Sequence, residues 1–183
     1  VSNVHTTDGG TTWVATLSGL AATSAGGNVL AVDLGQVKDL AGNAGSGSAV
    51  SAAYTVDTQG PNAVAIALDG ATLAAGKPVH ATFTFAERVQ DLAPDAITAP
   101  HATVSSLASS DGGKTWTATL SADGTGTWTG NAVSVDLAKV ADLAGNSGSG
   151  TIAGAAYTVD TQGPTATLAL DGTAVHTGGT LGL

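Results

Sequence analysis

The sequence predicts an all-β protein built from tandem β-sandwich repeats of about 103 residues, and three observations carry that prediction. The chain repeats itself: Val1–Gly60 laid on Val104–Gly163 matches at 34 of 60 positions without a gap, a period of one small domain. Apolar and polar residues alternate at period two, the pattern of strands with one buried face. Gly, Asp, Ser and Pro fill the intervals between these runs, and no segment has the periodicity of a long amphipathic helix.

The repeat sets the domain organisation. Residues 1–58 read as the C-terminal part of one unit and 59–161 as a complete unit. Residues 162–183 read as the start of a third, because "TATLALDG" after Pro164 restarts "NAVAIALDG" after Pro61 with one residue deleted. The chain is thus expected to be a window on a longer array.

Within the complete unit, seven strands are expected. Residues 62–68 open it, and 78–85 follow with Val79, Ala81, Phe83 and Phe85 on one side and His80, Thr82 and Thr84 on the other. Two short strands are placed at 96–99 and 102–108, before the turn "SSDGGK". Next comes 115–122, where "TWTATL" turns Trp116, Ala118 and Leu120 inward. In 132–138 Val133, Val135 and Leu137 do the same, and 155–160 closes the unit with Tyr157 and Val159. Seven short alternating strands in about 100 residues indicate an immunoglobulin-like sandwich, without the Cys and Trp spacing of antibody domains.

Composition narrows the function. No Cys is present, so no disulfide staples the fold, and stability must come from the core or from bound ions. No apolar run approaches a membrane span, and neither a signal segment nor membrane insertion is indicated. Five Lys and Arg stand against fourteen acids, a net charge of −9, which argues against nucleic acid and anionic membrane surfaces as partners. The acids are thirteen Asp and one Glu, the composition of turns and of hard oxygen sites for calcium.

Strand direction sorts these acids by pole. The entrance of the complete unit, the loop after its second strand and the loop after its sixth fall at one end. That convergence brings Asp57 toward Glu87, Asp91 and Asp95 of "ERVQDLAPD" and toward Asp142 and Asn146 of "DLAGN". Carboxylates gathered this closely repel one another unless a cation neutralises them. Calcium, with six to eight oxygens in flexible geometry, suits a site drawn from three loops better than magnesium does. The six residues are therefore the expected calcium ligands at the junction between units. Asp39 and Asn43 match Asp142 and Asn146, and Asp160 matches Asp57, but their partner loops are not in the sequence, so both are expected to be incomplete sites.

Plainer readings stand beside this one. Asp57 suits a turn cap before Gly60 and Pro61. Asp69, Asp111, Asp123 and Asp171 read as turn residues, and Asp33 and Asp136 as solvated positions on outward strand faces. His5, His80, His101 and His176 do not recur at equivalent positions, which excludes a repeated histidine site. Zinc finds no Cys, and no G-x-S-x-G elbow is present. A carboxylate pair for glycoside hydrolysis needs a cleft that a serially copied unit lacks, so the chain is read as no enzyme. Trp13 and Trp116 are expected in the core. Trp128, in the loop "DGTGTWTGN", is the one place for a sugar-stacking or loop-packing role.

Four motifs in order, "FTFAERV", "DGGKTWTATL", "ADLAGNSGSG" and "YTVDTQGPT", resemble the bacterial immunoglobulin-like repeats strung along large secreted adhesins and other repetitive surface proteins. The resemblance spans essentially the whole chain. It departs from the family at Arg88, where relatives carry a small residue or Pro, and in the Gly- and Thr-rich loop after Leu120. It implies an exported stalk or extender module at the cell surface, partnered by neighbouring repeats of its own polypeptide, with calcium near the junctions. The alternative of another class is an assembling subunit of a filament, sheath or surface layer, with other copies of the chain as partners.

Overall fold

The computed structural model describes residues 1–18, 25–170 and 177–179. Six short strands make up the first unit: β1 (Ser2–Thr6), β2 (Trp13–Thr16), β3 (Ala25–Asn28), β4 (Ala31–Asp33), β5 (Ser48–Val50) and β6 (Tyr54–Val56). They pair as three two-stranded ladders, β1 with β2, β3 with β6 and β4 with β5. None of the described residues before Pro61 is buried.

The second unit holds β7 (Val64–Leu68), β8 (Thr72–Leu73), β9 (Val79–Phe85), β10 (Ile97–Thr98), β11 (Ala102–Ser109), β12 (Thr115–Ala122), β13 (Thr127–Asp136) and β14 (Thr151–Asp160). These form two four-stranded sheets, β11-β12-β9-β7 and β10-β13-β14-β8. The two inner faces close on one core. Val79, Ala81, Phe83 and Phe85 of β9 are all buried, as the period-two pattern requires, and Ala118 and Leu120 of β12 join them. Val133 and Val135 of β13, and Tyr157 and Val159 of β14, come from the opposite sheet. The Tyr157 hydroxyl donates to the Pro100 carbonyl, tying the last strand to the loop before β11.

Each of the seven expected strands has a counterpart, with four adjustments. β8 is additional, a two-residue parallel pairing with the end of β14, too short to show a period. The expected 96–99 strand is shortened to Ile97–Thr98, because Ala96 ends a 3-10 turn, Pro94–Ala96, in which its amide donates to the Ala93 carbonyl at 3.0 Å. The expected 132–138 strand starts earlier, at Thr127, and yields after Asp136 to a 3-10 turn, Leu137–Lys139. A ladder irregularity between Trp128 and Asn131 absorbs Gly130, which stands at φ 72°. The last strand begins at Thr151, four residues sooner, and its Gly154 passes over Ile66 where a methyl group would lie 2.6 Å from the Ile66 Cβ.

Trp13 is not in a core. It is 59 % exposed, because β2 pairs with β1 and carries no opposing sheet among the described residues. Trp116 is half-buried, its indole N–H donating to the Gly113 carbonyl at 3.2 Å. Asp33 and Asp136 are turn caps rather than free strand positions, accepting from Gly35 N at 2.9 Å and Ala138 N at 3.1 Å. Asp171 and His176 lie outside the described residues.

Candidate metal centre at the junction

β7 starts and β9 and β13 end at the same pole. There the Ala86 amide donates to the Ala63 carbonyl at 3.2 Å, the Gln90 amide donates to the Ala141 carbonyl at 2.9 Å, and Val89 bridges to Asp142. These backbone ties bring the segment after β9 against the loop after β13. Asp57 arrives from the other side, one residue beyond β6 of the preceding unit.

Asp57, Glu87 and Asp142 each offer a carboxylate oxygen, and these oxygens lie within 4.8 Å of one another. Two ligands across a calcium ion stand up to about 5 Å apart, so the spacing suits a common ion. Asp142 is 2 % exposed, whereas Asp57 and Glu87 are half-buried. Burial pushes the Glu87 carboxyl above its usual range, and the nearby charges of Asp142 and then Asp57 add to that push. Burial acts in the same direction on Asp142, but hydrogen bonds from the side chain and backbone of Asn146 and from the Ala144 and Gly145 amides outweigh it, and its carboxyl stays below the usual range. The loop therefore keeps one buried carboxylate ionised beside two others.

The loop that holds Asp142 is closed by its own sequence. Asn146 N donates to Asp142 Oδ1 at 2.9 Å and Asn146 Nδ2 to Asp142 Oδ2 at 2.8 Å, while Asp142 N donates to the Asn146 carbonyl at 3.0 Å. Asp39 and Asn43 reproduce these bonds at 2.8, 3.0 and 3.0 Å. "DLAGN" thus builds the same loop twice, and in the second unit Glu87 and Asp57 are added to it. Asp160, the counterpart of Asp57, is exposed and accepts from Thr127 Oγ1 at 3.1 Å and Gln162 N at 3.2 Å.

The six expected ligands divide. Asn146 stands at the centre but turns its amide nitrogen toward Asp142 and toward the Asp57 carbonyl, 3.1 Å away. It orients the site's acids and ties the linker down. Asp91 and Asp95 lie outside the group of three. Asp91 is exposed and accepts from the Leu92 amide at 2.8 Å. Asp95 is the middle residue of the Pro94–Ala96 turn, where Lys139 Nζ donates to its carbonyl at 2.7 Å and stands 3.6 Å from its carboxylate.

The remaining candidates are structural. Asp111 accepts from the Lys114 and Thr115 amides at 3.1 and 2.9 Å, and Asp8 does the same for Thr11 and Thr12 at 3.0 and 2.7 Å. Asp69 accepts from the His80 amide at 2.7 Å and lies 2.8 Å from its ring. Trp128 stacks on His101 at 4.3 Å with the rings 9° from parallel, and its far edge covers Gly126, where a Cβ would meet Cη2 at 2.6 Å. With one face stacked on His101 and its edge over Gly126, the half-buried indole packs the loop. Asn131 was not singled out in the sequence. It is buried, and its amide donates to the Trp128 and Tyr157 carbonyls at 3.0 and 3.4 Å, as Asn28 does to Ala25 and Tyr54 at 2.7 and 3.4 Å. Its recurrence at the same place in both units was the available signal.

A family model described as a bacterial Ig-like domain matches residues 1–56 and 57–159. No curated protein and no solved structure matches the chain.

Proposed function

The chain belongs to the bacterial Ig-like domain family, and on that premise we propose that it is an extender module of a bacterial surface or secreted protein of the adhesin kind, stiffened by calcium between consecutive units. Bacterial Ig-like domains typically occur in surface or extracellular proteins and form a structural, non-catalytic fold. The observation that carries the calcium reading is the convergence of Asp57 from the linker with Glu87 and Asp142 from the next unit. Calcium ligated from both sides of a junction restrains the angle between neighbours, and a stiff array projects farther than one hinged at every "DTQGP". Asp57, Glu87 and Asp142 would be the ligands, with backbone carbonyls or waters completing the sphere.

Small-angle scattering on the chain with saturating calcium and with chelator tests this function. A larger radius of gyration and a stiffer profile in calcium are expected. Superimposable profiles under the two conditions would overturn it.

A further inference from the structure

The same glycines occur in both copies of the repeated text, and the structure loads them differently. A methyl group on Gly60 would collide with the Ser147 carbonyl, whereas one on its counterpart Gly163 would meet nothing within 4 Å. A methyl on Gly148 would collide with the Pro61 carbonyl in addition to lying 2.9 Å from the Leu137 carbonyl. On the counterpart Gly45 its nearest neighbours would be atoms of the matching Leu34, the carbonyl oxygen at 2.8 Å. Pro61 is buried and Pro164 exposed. Val140, Asp142, Asn146 and Gly148 are covered by Val89 and by the linker.

We infer that the loop Ala141–Gly148 is a receptor for the linker Asp57–Pro61, a backbone clasp that seats the segment joining consecutive units on the unit it enters, without an ion. The inference rests on reading this seam as an inter-unit junction, and it adds a second tie beside the proposed calcium. Two side-chain-free positions, Gly60 and Gly148, let the two backbones come together, and the Asn146 amide fastens the Asp57 carbonyl at 3.1 Å. The partner this loop fits is the Asp-Thr-Gln-Gly-Pro segment that enters its own unit. That explains why the two motifs recur together. Because the linker is covalently joined to its receptor, a small contact suffices to hold it at high effective concentration.

The chain contains no cysteine, so nitroxide labels can be placed at Ser48→Cys and Thr117→Cys, both exposed, to read the distance distribution between units in chelator. The unsubstituted linker and Gly163→Ala should give the same narrow distribution, and Gly60→Ala should broaden it at least twofold. Asn146→Ala should broaden it as well, and carries the test if Gly60→Ala fails to fold. A parent distribution in chelator already as broad as that of the variants overturns the clasp, as does a Gly60→Ala distribution as narrow as the parent. A calcium titration of the same labelled chain is independent of this comparison, so failure of the calcium reading would appear there and leave the chelator result intact.

Discussion

Replacing Glu87 by Gln should change stability in opposite directions with and without calcium. In chelator, Glu87 stands within 4.8 Å of two other carboxylate oxygens. Each like-charge pair at that distance costs about 0.9 kcal/mol at the dielectric of water. Because Glu87 is half-open to solvent and salt screens it, a net gain of about 0.5–1 kcal/mol for Glu87→Gln at pH 7 is the reasonable figure. The sign agrees with its titration: a carboxyl raised in the folded state loses stability as pH climbs through its folded value, so ionised Glu87 is a cost near neutrality. In calcium at a hundred times the dissociation constant, the parent gains about 2.7 kcal/mol. If loss of one of three carboxylates weakens binding a hundredfold, the variant gains only about 0.4 kcal/mol, and the parent leads by about 1.5 kcal/mol. Calorimetric melting of both proteins in the two buffers reads this as a crossing of the melting temperatures, roughly 4–8 °C per kcal/mol for a unit of this size. The same rank order in both buffers would refute a shared cation and leave three acids in ordinary turns.

Other outcomes follow from the core and the turns. Phe83→Ala empties the fully buried centre of β9 and should cost about 3–5 kcal/mol, read as a lower urea midpoint. Tyr157→Phe removes the donor to Pro100 and should cost about 1 kcal/mol by the same assay. Burial and then the Asp123 charge push the Tyr157 hydroxyl up to about 12, so its contribution is intact below pH 10 and lost as pH rises from 10 toward 12; phenolate absorbance of the folded protein checks this. The Thr115 and Thr12 hydrogen bonds hold Asp111 and Asp8 down to about 2, so both hairpins keep their full contribution above the ordinary 3.8 and lose it as pH falls toward 2. Thr115 and Thr12 amide shifts titrating with a midpoint near 4 would contradict this.

The strands were legible where alternation is strict. Val79 to Phe85 alternate in sequence and in burial without exception, because a two-sided environment imposes period two. β8 and the start of β13 were not legible, since a two-residue parallel contact has no period and Gly130 interrupts the alternation at Trp128. The repeated "DLAGN" and "DTQGP" and the sorting of loops by pole suffice to bring Asp57, Glu87 and Asp142 to one end of the unit, where their carboxylate oxygens lie within 4.8 Å of one another. The same reasoning placed Asp91 and Asp95 with them. Pole and loop identity fix a position to within a few residues, and only the Val89–Asp142 bridge and the Pro94–Ala96 turn decide which acids of the loop face inward. Asn146 was legible as a member of the site, but the direction of its amide is set by the Asp57 carbonyl across 89 residues of chain, a contact that spacing cannot reveal.

Crystals of the chain grown in calcium and measured at a wavelength where calcium scatters anomalously would show directly whether the junction holds the ion. The expected result is one anomalous peak about 2.3–2.6 Å from carboxylate oxygens of Asp57, Glu87 and Asp142, absent from crystals of Asp142→Asn. An empty junction at saturating calcium, with the ion bound elsewhere or nowhere, would contradict it.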